Sequence, residues 1–182
     1  LENDTAFGEL IKTLRETDDP RWAGHKLIEN TLIIFTSDNG PNIGDNLGTN
    51  QESGGLRSKK AKIWEGGIRV PMIVYWNGYI EGGKINSNVC SHTDFYAILA
   101  NVVGHSLALD EAHDSLDSLA YWTEEKKNPD NRARVFFCHL GPPWSNDVLA
   151  IRKGHEKLLV DGGLAMPSIP QGQRGASIPR AY

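Results

Sequence analysis

The sequence predicts an α/β protein, part of a layered sheet domain followed by a small antiparallel-sheet subdomain. Three observations lead there. Two stretches carry apolar residues at helical spacing, Phe7, Leu10, Ile11, Leu14 and then Phe95, Ile98, Leu99, Val102. Two short apolar runs rich in strand-forming residues, 31–35 and 72–76, lie between them. Three more short strand-like runs follow after residue 130. Helix, strand, loop, strand, helix is half of a layered α/β domain, whereas short strands separated by turns make an antiparallel sheet.

The first stripe, at spacings 0, 3, 4 and 7, predicts an amphipathic helix over about 5–17 whose apolar side faces a core. Asp18-Asp19 and Pro20 follow a helical pattern rather than a strand, so the aspartate pair closes the helix. Glu29-Asn30 lead into a strand at 31–36, apolar enough for the middle of a parallel sheet. Residues 40–56 are rich in Gly and Asn and lack periodicity, so they form a loop able to reach a substrate. A second buried strand occupies 72–76, and the second stripe is a helix started by Ser91 or Thr93. Acidic residues gather over 104–130 and Asn128-Pro129-Asp130-Asn131 marks a turn, which reads as a linker into another unit. Residues 134–138, 148–152 and 156–160 then read as antiparallel strands, and from Gly162 onward Pro, Gly, Gln and Ser predict disorder. The resulting division is 1–105 for the α/β domain, 106–165 for the small subdomain and 166–182 for a disordered tail.

Composition narrows the function classes. Charged residues make up 23% and hydrophobic ones 39% of 182 residues, and no apolar run is long enough to span a bilayer, which argues against membrane insertion. A net charge of −4 argues against a nucleic-acid partner, and the one basic cluster, Arg57, Lys59, Lys60 and Lys62, is short. Cys90 and Cys138 are free to pair or to stay reduced, so they do not fix a redox compartment. No export signal is visible at the amino terminus.

Chemistry concentrates at Ser37-Asp38-Asn39-Gly40, at the exit of the first strand. Ligands in open α/β sheets gather beyond the carboxyl ends of the strands. Adjacent carboxylate and amide oxygens suit a hard cation, calcium or magnesium. The same residues are ordinary turn chemistry when they stand alone. Downstream stand Leu56-Arg57, Lys60 and Glu65-Gly66-Gly67-Ile68-Arg69-Val70-Pro71, then the second strand and Ser91-His92-Thr93-Asp94-Phe95. This succession resembles the sulfatase family, of the alkaline-phosphatase-like superfamily: a strand, S-D-N-G, a variable loop, a Leu-Arg pair, a glycine and a key lysine, E-G-G-x-R-V-P, and another strand. The glycine just before the lysine is missing, Lys59 standing in its place. The segment 150–158 is similar to an A-I-R-x-G-x-x-K-L run in the family's small carboxy-terminal subdomain.

The resemblance implies hydrolysis of sulfate esters with a divalent cation, calcium first and magnesium second, and a formylglycine nucleophile. It implies that Asp38 and Asn39 ligate the metal and that Lys60, five residues before Glu65, contacts the sulfate as a catalytic and substrate-binding cation. Glu65, Gly66, Gly67 and Arg69 read as scaffold, the glycines for tight backbone and Glu65 or Arg69 for an ion pair. His92 reads as a cap or packing residue, His139 and His155 as lesser candidates bordering a substrate pocket, and Trp64, Trp76 and Trp144 as core or interface aromatics. The substrate is then a small sulfate ester or a sulfated carbohydrate, and the family suggests an exported protein.

Two parts of that chemistry are missing from these 182 residues. No C/S-x-P-x-R motif occurs; Ser177-Ile178-Pro179-Arg180 places its arginine one residue early. No strand ends in paired aspartates, since Asp18-Asp19 follows a helix. The chain therefore reads as the carboxy-terminal portion of a sulfatase, inactive by itself, with exposed apolar sheet surface that favours self-association. Two other readings stay open: a phosphodiesterase or phosphonate hydrolase of the same superfamily, and a noncatalytic remnant or interaction module.

Overall fold

The computed structural model describes residues 2–42, 53–123, 134–138, 148–154, 156–160 and 178–181. The chain forms two compact units, and neither is a single stretch of sequence. The first comprises Leu1–Phe35 and Ile73–Asn128, the second Thr36–Met72 and Pro129–Tyr182.

The first unit opens with helix α1, Glu2–Glu16, which has Glu2 and Asp4 in its first turn and Arg15 in its last, charges that suit the helix dipole. Phe7 from the predicted stripe meets the Phe35 ring at 5.0 Å between centroids. The chain then reverses through a turn built on Asp19, which is 2% exposed. Asp19 Oδ1 accepts the Arg21 backbone N–H at 2.8 Å and Nε–H at 3.1 Å, and Oδ2 accepts from Asn30 Nδ2 at 3.3 Å. Asp18 bridges to Lys26. The aspartate pair thus organises the segment after the helix.

The Arg21 side chain, then its backbone N–H, hold the Asp19 carboxyl down at about 2. A folded-state pKa below the unfolded one contributes stability above the ordinary carboxylate range, and that stability is lost as pH falls through that range toward 2. Between pH 4 and 2 the parent is expected to lose stability faster than Asp19→Asn, as read by Trp22 fluorescence in an acid titration. Parallel curves for the two proteins would refute the assignment.

Strand β1, Leu32–Thr36, pairs with β2, Met72–Trp76. Among the described residues this sheet has two strands, so both are edges, and Phe35, Ile73 and Tyr75 are 40%, 61% and 40% exposed. Such apolar composition belongs to a strand covered on both faces. After β2 the Tyr79 ring stacks on Trp76 at 4.1 Å.

Ser91 caps a short 3-10 turn, His92–Asp94, through a capping box in which the Ser91 N–H donates to Asp94 Oδ2 at 2.9 Å. Two further elements, α2 and α3, carry the helical structure of the middle of the chain: α2 is Glu65–Ile68 and α3 is Phe95–Val102. Helix α3 buries Ala97, Ile98 and Ala100. It ends on Gly104, φ +74, with the Gly104 N–H donating to Asn101 O and the His105 N–H to Ala100 O, a Schellman cap. His92 packs its ring on Phe95 at 5.3 Å.

The stretch after α3, which its acidic composition makes read as a linker, folds back on the helix instead. The Leu116 N–H donates to the buried Asp94 carboxylate at 3.1 Å, Ser115 Oγ accepts the Ala97 N–H at 2.8 Å, and Tyr96 Oη donates to Glu111 at 2.6 Å. Helix α4, Leu119–Thr123, follows, with Trp122 edge-on to Phe95. The Asn128–Asn131 turn lies outside the described residues.

The second unit contains a four-stranded antiparallel sheet in the order β3, Arg134–Cys138; β4, Val148–Lys153; β5, Glu156–Val160; and β6, Ile178–Ala181. The first three match the predicted strand runs. Strands β4 and β5 are joined by residues 154 and 155, with Gly154 at φ +57 as tight hairpins require. Within the stretch whose composition predicts disorder, Ile178–Ala181 pairs with β5 and is an edge strand among the described residues, a position that tolerates Pro179. Ala150 and Leu159 form the unit's core with Ile63 and Trp64, and Ile68 packs against them.

Candidate functional site

The chain leaves β1 through Thr36, whose Oγ1 donates to Pro71 O at 2.9 Å. Ser37 Oγ donates to Asn39 O at 2.9 Å and the Asn39 N–H donates to Asp38 Oδ1 at 2.9 Å, so the loop is held by its own side chains. Asp38 is exposed and Asn39 half-buried. Gly40 is buried, and its N–H donates to Gly67 O at 2.9 Å. A Cβ on Gly40 would lie 1.8 Å from Gly66 O. Glycine is required there for close approach, not for positive φ.

Gly66 and Gly67 sit in the one-turn helix α2. The Gly66 N–H donates to Arg57 O at 2.7 Å and the Gly67 N–H to Trp64 O at 2.8 Å. A Cβ on Gly66 would meet Ser58 O at 2.3 Å, and one on Gly67 would meet Lys62 O at 2.0 Å. The residues before α2 therefore wrap around it. Their turn bends through Ser58 and Ala61, at φ +76 and +65, which bracket Lys59 and Lys60. Lys59 stands where the family carries a glycine, but the left-handed backbone that suits glycine is taken by Ser58. The Lys60 N–H donates to Pro41 O at 2.9 Å and its side chain is exposed. The Arg57 guanidinium lies 3.6 Å over the Trp64 ring, a cation–π contact.

Glu65 binds two cations. Its Oε2 accepts from Arg152 Nη1 at 2.9 Å and its Oε1 from Lys157 Nζ at 2.9 Å. Lys157 Nζ also donates to Ile63 O at 2.6 Å, with the side chain 5% exposed. Burial pushes the Lys157 ammonium below its ordinary value, while Glu65 works against that shift. Arg152 and Lys157 stand directly opposite each other on β4 and β5. Like charges in that register repel, and Glu65 supplies the anion between them. Of the two residues expected to form an ion pair, Glu65 does so. The motifs do not name its partners, although two cations in register on one hairpin call for an acid nearby.

The sulfatase family model matches residues 1–105. The chain belongs to the sulfatase family. It is 31% identical to steryl-sulfatase of Rattus norvegicus over 143 residues, covering 76% of this chain and 23% of that protein. It is 32% identical to an N-acetylgalactosamine-6-O-sulfatase of Bacteroides thetaiotaomicron over 167 residues, covering 87% of this chain and 30% of that one. Its fold is similar to that of Ps i-CgsB solved in complex with k-i-k-neocarrahexaose, with a TM-score of 0.59 at 26% identity over 73% of this chain and 28% of that one. The chain thus spans well under half the length of these sulfatases. The mixed helix and strand architecture accords with theirs.

In this sulfatase chain the structure joins the loop of Asp38 and Asn39 to the segment of Lys60 by backbone bonds at Gly40 and Pro41. Asp38 and Asn39 offer carboxylate and amide oxygens, the donor chemistry of a hard cation. In number they fall short: among the described residues no group of three or more His, Cys, Asp or Glu converges. The donor set fits such a cation in kind and by itself would make up only part of its shell. His139 and His155 lie outside the described residues, as does Trp144. Trp64 is a core residue and Trp76 stacks on Tyr79. Cys90 is half-buried, and its Sγ donates to Ser91 O at 3.6 Å. Among the described residues no helix is long and apolar enough to cross a membrane.

Proposed function

We propose that the protein to which this sequence belongs hydrolyses sulfate esters and that the Asp38–Lys60 segment supplies one wall of its active site. The observation that carries this is the pair of backbone bonds, Gly40 to Gly67 and Lys60 to Pro41, which hold the oxygen donors and the lysine on one rigid loop cluster. In this reading Lys60 contacts the sulfate, and its ammonium offsets the charge of the nonbridging oxygens as the ester bond breaks. Asp38 and Asn39 would hold a divalent cation, calcium before magnesium, which when bound neutralises the same oxygens. The Asn39 backbone N–H donates to Asp38 Oδ1, which holds the two residues together in the loop. The nucleophile, a formylglycine in this reading, is supplied from outside these 182 residues. Likeness to relatives named for steryl and N-acetylgalactosamine-6-O substrates supports a small sulfate ester or a sulfated carbohydrate as substrate.

The test is turnover of an aryl sulfate by the length-complete protein. Lys60→Ala is expected to lower kcat by about a hundredfold or more, the scale on which one preorganised charge-stabilising group acts. The 182-residue chain alone is expected to give no turnover. Normal turnover by Lys60→Ala, or faster hydrolysis of the matching phosphate diester than of the sulfate, would overturn the reading.

A further inference from the structure

We propose that Lys157 and Arg152 are positioning residues for the Asp38–Lys60 site, acting through Glu65 from the carboxy-terminal sheet. The inference rests on the reading of Lys60 as the sulfate-contacting cation. The path between them is continuous and lies within one unit. Lys157 and Arg152 each hold one oxygen of the Glu65 carboxylate at 2.9 Å, which fixes its plane as well as its place. Lys157 adds a bond to Ile63 O, and Ile63 and Trp64 pack on Ala150 and Leu159 of the sheet. Helix α2 begins at Glu65, so the two cations that hold its carboxylate anchor that end of the helix. From α2 the contacts pass to Gly40 through Gly67 O, and to the backbone around Lys60 through the carbonyls of Arg57, Ser58, Lys59 and Lys62.

These last contacts have no slack. Each glycine lies so close to a neighbouring carbonyl that a single Cβ would meet it at 2.5 Å or less. A displacement of α2 therefore carries both Gly40 and the Lys60 turn with it. Groups that stabilise a transition state lose rate steeply when moved by about 1 Å. Merely structural cations would lower stability alone. Positioning cations also set the geometry of Lys60, so their loss appears in kcat rather than in KM.

The experiment uses the length-complete protein and compares Lys157→Met, Arg152→Gln and Lys157→Arg with two controls. Lys153→Met removes an exposed cation from the same strand, and Ile98→Ala destabilises the first unit without touching the path. Steady-state turnover of an aryl sulfate, Tm, and amide exchange at Gly40, Lys60 and Gly67 are measured for each. Lys157→Met is expected to lose about a hundredfold in kcat with KM changed by less than about threefold. Exchange at the three amides quickens, and Lys157→Arg restores part of both signals. The exposed control changes neither, and Ile98→Ala lowers Tm without affecting kcat or those amides.

If Lys157→Met does not fold, Arg152→Gln, at a side chain 23% exposed, carries the same expectations. The proposal is overturned if kcat and exchange in the soluble clamp variants stay within about twofold of the parent. It is equally overturned if Ile98→Ala, at an equal drop in Tm, loses as much kcat as Lys157→Met. Lys60→Ala is run alongside: unchanged turnover there refutes the proposed function, while the exchange measurements still decide whether the clamp holds the loop.

Discussion

Alanine at Gly67 is expected to dismantle the Asp38–Lys60 loop cluster without altering either side chain. The added methyl would sit 2.0 Å from Lys62 O and 2.5 Å from Lys59 O, both backbone atoms of the turn that carries Lys60. No rotamer relieves a clash with backbone, so the turn or α2 must move. Either movement strains the bond from the Gly40 N–H to Gly67 O. Overpacking usually costs about 1–3 kcal/mol, and rigid obstructing atoms on two sides put this case at the upper end or beyond. Gly8 provides the contrast. A Cβ there meets nothing within 4 Å and lies in α1, so Gly8→Ala is expected to stabilise by up to about 1 kcal/mol. Urea unfolding of the two variants reads both effects. A Gly67→Ala protein as stable as the parent would mean that the glycine pair is not held against the turn.

Removing the Glu65 carboxylate by Glu65→Ala should cost nearly as much, for an electrostatic reason. Arg152 and Lys157 would then face each other across β4 and β5 with no anion between them, and Lys157 is 5% exposed in its side chain. Breaking a buried pair by deleting one partner costs about 3–5 kcal/mol. Glu65 and Arg152 remain 24% and 23% exposed, and solvent screening brings the expectation to about 2–4 kcal/mol. The double variant Glu65→Ala with Lys157→Met removes the stranded cation as well and should recover part of the loss. A double-mutant cycle is the measurement, and a coupling below about 0.5 kcal/mol would show that the groups act independently. By comparison Lys26–Asp18, an exposed pair at 2.6 Å, should change stability little when Asp18 is replaced by Asn.

These expectations separate what is legible in sequence from what is not. Helices α1 and α3 and the strands at 32–36, 72–76, 134–138, 148–153 and 156–160 follow from local periodicity, which needs no tertiary knowledge. The α1 stripe, expected to face a core, nevertheless buries none of its residues and leaves Leu10 51% exposed. The need for Gly66 and Gly67 is also visible through the resemblance of the surrounding motif, which marks them as positions of tight backbone. Residues 104–123 mislead because an acidic, turn-rich stretch has the composition of a linker. Its Glu111, Ser115 and Asp117 are instead spent on bonds to α3. Ile178–Ala181 misleads for a related reason, since strand pairing at an edge tolerates a proline that composition counts against it. The partners of Glu65 depend on which residues of a distant hairpin face each other. Register emerges from pairing and is not written in either motif.

The link from Glu65 to Lys157 spans 92 positions and that from Ile63 O to Lys157 spans 94. During synthesis the glycine turn is therefore made long before its anchor exists. Closing so large a loop carries an entropic cost that must be met before the contact returns anything. The second unit is expected to mature late and cooperatively, with the Asp38–Lys60 loops unfastened until the last hairpin has emerged and docked. In a nascent chain arrested between residues 130 and 150 the amides of Gly40 and Gly67 should exchange freely, and protection should arrive in one step once Lys157 can reach Glu65.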